Sequence, residues 1–181
     1  AYWVAAIRES FEEAGVLLAY GEDGEVVDLD DLQAAERWAA HRTAVDTGAL
    51  RMADLCARLK ARGYVLALAS SKPEELCVSI CRRFGFTPFL SAVTGSPAGA
   101  DWEKADVIRE AMRRLRLTDA DKPTVLMVGD RKYDVLGAQE CGLACVGVEF
   151  FGYAQPGELA EAGAVAVVRT AEELEAYLLN A

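Results

Sequence analysis

From Leu50 onward, short apolar runs alternate with stretches in which apolar residues recur every third or fourth position. The first pattern predicts buried strands and the second predicts helices laid against them. A helix over Arg51–Arg62 should end at Gly63, a favoured residue just past a helix terminus. Strand Tyr64–Ala69 follows, then a helix opened by Pro73 with Glu74 and Glu75 in its first turn and stopped at Gly85. A short strand near Ala92–Thr94, the loop Gly95–Asp101 and helix Lys104–Leu115 come next. Strand Thr124–Val128 leads to helix Tyr133–Glu140, which Gly142 stops. Strand Ala144–Val148, helix Pro156–Ala162, strand Ala164–Val168 and helix Ala171–Leu179 complete the series. Strands spaced by helical periods make an α/β protein with a doubly wound parallel sheet, whose sites lie at the carboxyl ends of the strands.

The texture before that point differs. Residues 1–48 are helical and irregular, with apolar residues at helical spacing over Trp3–Ala14 and Asp30–Val45 and the link Gly21-Glu-Asp-Gly24 between them. Trp38 falls on the apolar side of the second stretch, a packing position rather than a stacking platform. The expected division is a partial helical region at 1–48 and an α/β core at 49–181.

Charge narrows the function. A formal net charge of −10 with no basic run argues against nucleic acid as a partner. An acidic protein handling an anionic substrate needs a local positive field, which a metal ion would supply. The cysteines (Cys56, Cys77, Cys81, Cys141 and Cys145) lie in apolar stretches without CxxC spacing, as buried thiols in a reducing compartment do. The one histidine, His41, sits in an amphipathic stretch, which leaves little for a histidine-based triad or zinc site. No run is long and apolar enough to span a bilayer and no signal-peptide pattern is present, so no membrane partner is expected and the cytoplasm is the expected location.

Candidate chemistry starts at Val125-Leu-Met-Val-Gly-Asp-Arg-Lys-Tyr-Asp134, an apolar strand that stops at Gly129 and presents Asp130 and Asp134. Such an acidic pair at a strand's end suits a hard cation such as Mg²⁺, which takes carboxylate, water and phosphate oxygens. Alternatively, Asp130 caps the helix beginning near Lys132 and Asp134 lies in its first turn. Two other places join them. Ser70 and Ser71 follow the run Val65-Leu-Ala-Leu-Ala69 and offer hydroxyls and amides to a phosphate, though they could simply cap the next helix. Lys104, opening its helix, could supply charge to that phosphate and to a nearby carboxylate, or stand solvated on a helix face. Hydroxyl, ammonium and paired carboxylates together are the parts that neutralise a phosphoryl group in transfer.

Three segments, Val65-Leu-Ala-Leu-Ala-Ser-Ser-Lys-Pro-Glu74, Lys104-Ala-Asp-Val-Ile-Arg109 and Val128-Gly-Asp-Arg-Lys-Tyr-Asp-Val-Leu-Gly-Ala138, resemble motifs II, III and IV of the haloacid dehalogenase-like hydrolases. The likeness is nearest to the phosphoglycolate-phosphatase-like branch and covers about residues 50–179. It implies a HAD-like Rossmannoid core with the remnant of a helical cap at 1–48. It further implies Ser70 as the phosphate-binding hydroxyl, Lys104 as the motif III lysine, Asp130 as the Mg²⁺ ligand and Asp134 as the second motif IV acid. The activity implied is Mg²⁺-dependent hydrolysis of a small phosphorylated metabolite.

The family's first motif, an apolar strand ending in Asp-x-Asp-x-Thr, supplies the nucleophile and the general acid and base. The corresponding Asp-x-Asp here, Asp28-Leu-Asp30, follows an apolar run of only Val26-Val27 and leads straight into Asp31-Leu32, so its residues read as helix caps or as weak candidates for the nucleophile. The expectation is an amino-terminally truncated phosphatase of weak or no activity, with a gap between the strands ending at Ser70 and Gly129 that leaves backbone groups to be paired elsewhere. That gap would encourage association, although the oligomeric state stays open. The alternative is a non-catalytic relative that binds a phosphorylated ligand or a protein partner. A response-regulator receiver would need the acidic strand end before the lysine, and a dinucleotide-binding fold lacks its Gly-x-Gly-x-x-Gly turn here.

Overall fold

The computed structural model describes residues 52–150 and 154–180. The expected helices Trp3–Ala14 and Asp30–Val45, together with Trp38, His41, Asp28 and Asp30, lie outside these residues. In chain order the elements are helix α1 (52–61), strand β1 (Leu66–Pro73), α2 (Glu74–Arg83), β2 (Leu90–Ser96), α3 (Lys104–Arg114), β3 (Leu126–Gly129), α4 (Lys132–Glu140), β4 (Ala144–Val148), α5 (Glu158–Glu161), β5 (Ala166–Val168) and α6 (Ala171–Asn180). The alternation is the one the apolar periodicity predicts. β4 has the predicted bounds. Others shift by a few residues, and Lys122–Thr124 forms a 3₁₀ turn that delays β3.

Every strand pairing among the described residues is parallel. Among the described residues β1 pairs with β2, while β3, β4 and β5 form a second sheet in that order. Alternation along each strand divides the side chains between two layers of helices. Leu66, Leu68, Leu126 and Val128 face α1, α2 and α6 through residues such as Leu59, Ile80 and Leu174. Ala67, Ala69, Val125 and Met127 face α3 and α4 through Ile108, Ala111 and Val135. Each cluster spans both sheets, so the two sheets share one doubly wound core. Between them, Ala69 of β1 and Met127 of β3 border a small apolar void of about 10 Å³ against Ile108 and Met112 of α3.

β1 is longer than its apolar run. After Ala69↔Thr94 the register shifts, and the extended chain continues through Ser70 and Ser71 to pair Pro73 with Ser96. A residue preceding proline is driven to extended geometry, which keeps Lys72 out of the helix. α2 then starts at Glu74, with Pro73 at the cap position and φ −51°. All the cysteines are free and buried. Burial pushes the Cys56 and Cys81 thiols up to about 12. Among the described residues no helix is long and apolar enough to cross a membrane.

Candidate active site

Four of the expected site residues are buried polar groups at one end of the sheet: Ser70, Lys104, Asp130 and Asp134. Ser71, one residue beyond Ser70, is exposed. Ser70 sits where β1 emerges from the core, and its hydroxyl accepts a hydrogen bond from the Lys72 N–H at 3.3 Å. Under it lies Cys77 of α2. Burial raises that thiol, while a hydrogen bond with Ser70 and the charges of Lys72 and Lys104 pull it the other way.

Lys104 is the tie between the two sheets. It opens α3, whose start is fixed by the Glu103 N–H donating to Asp106 Oδ2 at 3.1 Å. Its ammonium donates to the Ala69 carbonyl at 3.4 Å and lies 2.8 Å from Asp134 Oδ1. One buried cation therefore joins the end of β1, beside Ser70, to the first turn of α4, beside the loop that carries Asp130.

The β3–α4 loop shows why glycine and two acids occur at this spacing. Arg131 holds the cap position of α4, and its N–H donates to Asp134 Oδ2 at 3.1 Å. Asp130 is thus not the cap, whereas Asp134 caps the helix with one oxygen and pairs with Lys104 through the other. The expected place of Asp134 in the first turn of the helix is therefore compatible with its ion pair to Lys104. Glycines make the space. A Cβ on Gly129 would overlap the Asp134 side chain, and one on Gly137 would stand 2.6 Å from Lys104 Cγ. Asp130 is fully buried at the carboxyl end of β3.

A second Asp-x-Asp, Asp119-Ala-Asp121, escaped the sequence reading. It lies before β3, at the opposite end of that strand from Asp130. Asp121 Oδ2 there accepts from both the N–H and the hydroxyl of Thr118 at 2.7 Å, and Asp119 pairs with Lys122 at 2.8 Å. These are turn-forming contacts on the surface. Sequence reasoning also missed Glu158 of α5, which reaches back to the Asp130 loop. Its Oε1 accepts from Arg131 Nε and from the Lys132 N–H, each at 2.9 Å. No local pattern marks that residue.

A groove of about 480 Å³ opens beside this cluster, lined by Ser71, Glu103, Lys104, Tyr133, Leu136 and Glu140. Lys104 and Arg131 are each ion-paired here, with Asp134 and Glu158, and Glu103 and Glu140 add acid to the groove wall. Mg²⁺ usually takes one or two carboxylates and completes its shell with water and phosphate oxygens. The buried Asp130 carboxylate at the carboxyl end of β3 fits that donor chemistry.

Comparisons with known proteins give the chain's family. Residues 30–148 match the family model described as haloacid dehalogenase-like hydrolase. The chain is 36% identical over 107 residues to a 5'-nucleotidase of Pseudomonas aeruginosa, covering 59% of this chain and 47% of that protein. It is 32% identical over 126 residues to a plasmid-borne phosphoglycolate phosphatase of Cupriavidus necator, covering 69% of this chain and 53% of that one. The chain therefore spans about half the length of these relatives. Among solved structures, a protein from Clostridium acetobutylicum described as a predicted phosphatase superposes with a TM-score of 0.73 at 26% identity, covering 99% of this chain and 98% of the other.

Proposed function

Since the chain belongs to the haloacid dehalogenase-like hydrolases, we propose that its buried cluster is the phosphate- and cation-binding part of a Mg²⁺-dependent phosphatase. The substrate class is a small phosphorylated metabolite, in keeping with relatives named as phosphoglycolate phosphatases and a 5'-nucleotidase. One observation carries the reading: Lys104 bridges the Ala69 carbonyl and Asp134 from a buried position. A lysine at 5% exposure is rarely kept for stability alone, because burying an ion pair costs roughly what its attraction returns.

In this proposal Ser70 donates its hydroxyl to a phosphoryl oxygen, and the Ser71 region adds backbone and hydroxyl donors. Lys104 holds a second phosphoryl oxygen while Asp134 fixes its ammonium. Asp130 would hold Mg²⁺. Asp134, its oxygens shared by Lys104 and the Arg131 amide, is the second acid of the pair and acts mainly through the lysine. When bound, the ion supplies charge that offsets what builds up on the phosphoryl oxygens. The attacking carboxylate is assigned to residues other than these. Asp28 and Asp30 are candidates for it, and a first-motif strand beyond this chain is the other source.

The chain as given is expected to hydrolyse phosphate esters weakly or not at all. The test is hydrolysis of an aryl phosphate with Mg²⁺, before and after a first strand bearing Asp-x-Asp is supplied. Turnover that appears only with that strand and is lost in Lys104→Ala supports the reading. Robust turnover by the 181-residue chain that survives Asp28→Asn would contradict the assignment of the nucleophile.

A second reading draws on the sheet. Among the described residues β1 and β3, the strands carrying Ser70 and Asp130, do not pair with one another. A site divided at that seam suits a protein that binds a phosphorylated ligand without turning it over. Phosphate binding that persists while no added strand restores turnover would favour it.

A further inference from the structure

We infer that Glu158 is the positioning residue that sets the Asp130 loop for its cation, an inference that rests on the reading of Asp130 just proposed. The reason lies in how the loop is held. Of the two amides that follow Asp130, the Arg131 N–H goes to Asp134 within the same helix, and the Lys132 N–H goes to Glu158 Oε1 at 2.9 Å. The same oxygen accepts from Arg131 Nε at 2.9 Å, and Oε2 takes the Gln155 N–H at 3.2 Å. One carboxylate from a different part of the chain thus receives three donors, two of them from the residues next to Asp130. Its side chain is only 9% exposed, so these bonds are little diluted by water.

The placement of Glu158 is itself built in. Gly129, which precedes Asp130, pairs in register with Gly147 of β4. The neighbouring residue Leu159 is fully buried over Gly147, where a Cβ would stand 2.9 Å from its side chain. Leu159 therefore seats α5 directly beside the end of β3, and that seat aims Glu158 at the loop. Arg131, held by Glu158, also lies 5.7 Å from the Tyr133 ring at the mouth of the groove. A carboxylate needed only to close a surface ion pair would not require a glycine beneath its neighbour or a backbone amide as partner.

Partners that hold a metal's ligands from behind change affinity for the ion by about 10- to 100-fold when removed. The experiment is calorimetric titration of the full chain with Mg²⁺ alone, read with thermal melting and amide exchange of the metal-free protein. Glu158→Ala should weaken Mg²⁺ about 10-fold or more and speed exchange at the Lys132 amide. Glu158→Gln, which keeps the oxygen for that amide, should fold and recover part of the affinity. Glu175→Ala, which breaks the comparable Arg58–Glu175 pair away from the loop, should leave Mg²⁺ binding unchanged. Mg²⁺ affinity in the Glu158 variants within twofold of wild type overturns the inference and leaves the Asp130 site standing. A wild-type chain with no Mg²⁺ binding overturns the Asp130 reading and this inference with it.

Discussion

The ammonium of Lys104 and the carboxylate of Asp134 meet at 2.8 Å with 4% and 0% of their side chains exposed. Neither residue could be buried alone at that place. Removing one partner of a buried pair costs about 3–5 kcal/mol, because a charge is left without compensation. Lys104→Ala should lose stability in that range by urea denaturation. The double variant Lys104→Met with Asp134→Leu should regain most of it while binding no phosphate. A single-variant loss below about 1 kcal/mol would show that the pair is not desolvated.

Two glycines guard this pair, and they should respond differently from the turn glycines. Gly129→Ala has to displace Asp134, and Gly137→Ala has to displace the Lys104 stem. Overpacking of this kind costs about 1–3 kcal/mol, and both variants should weaken phosphate binding. Gly63→Ala faces open space at φ +88° and should cost about 1 kcal/mol of backbone strain without touching the site.

Thr94 makes a contrasting case. It is fully buried on β2, and its hydroxyl has no hydrogen-bond partner among the described residues. Replacing an unsatisfied hydroxyl with a methyl of the same shape removes a penalty of about 1–3 kcal/mol at most. Thr94→Val should be neutral or stabilising in thermal melts. A loss of more than about 1 kcal/mol would mean the hydroxyl is engaged.

Two carboxylates hold their charge well into acid. Hydrogen bonds from Arg113 and Arg114 bring Glu110 down to about 2, and the Lys132 amide and Arg131 do the same for Glu158. A carboxyl whose folded pKa lies below its usual value of about 4.5 stabilises the fold fully above that value. The stabilisation fades as pH falls from 4.5 toward 2. Melting temperatures of wild type and Glu158→Gln should therefore separate above pH 5 and draw together as pH falls toward about 2. Parallel curves over this range would contradict the assignment.

Much of this could be read from residue order because local chemistry decides it. Alternation of apolar runs with helical spacing predicts the parallel sheet, and Gly63, Gly85 and Gly142, all at positive φ, end elements where the sequence suggests. Boundaries failed where two local signals compete. The apolar run ends at Ala69, where the strand was expected to stop, yet Pro73 holds the chain extended and β1 runs on to it. A carboxylate partner for Lys104 was legible, but that the partner is Asp134 was not. That pairing depends on α3 and α4 packing side by side with Gly137 as the gap. Glu158 carried no signal at all, since its partners are backbone and side-chain donors from another loop.

The central claim is that Ser70, Lys104 and Asp130 serve one phosphate and one cation. Calorimetry of Mg²⁺ and inorganic phosphate, titrated singly and together into wild type, Lys104→Met and Asp130→Asn, tests it most directly. Each ligand should tighten the other in wild type, Asp130→Asn should lose Mg²⁺ and that mutual effect, and Lys104→Met should lose phosphate. Independent binding of the two ligands, or Mg²⁺ binding that survives Asp130→Asn unchanged, would contradict it.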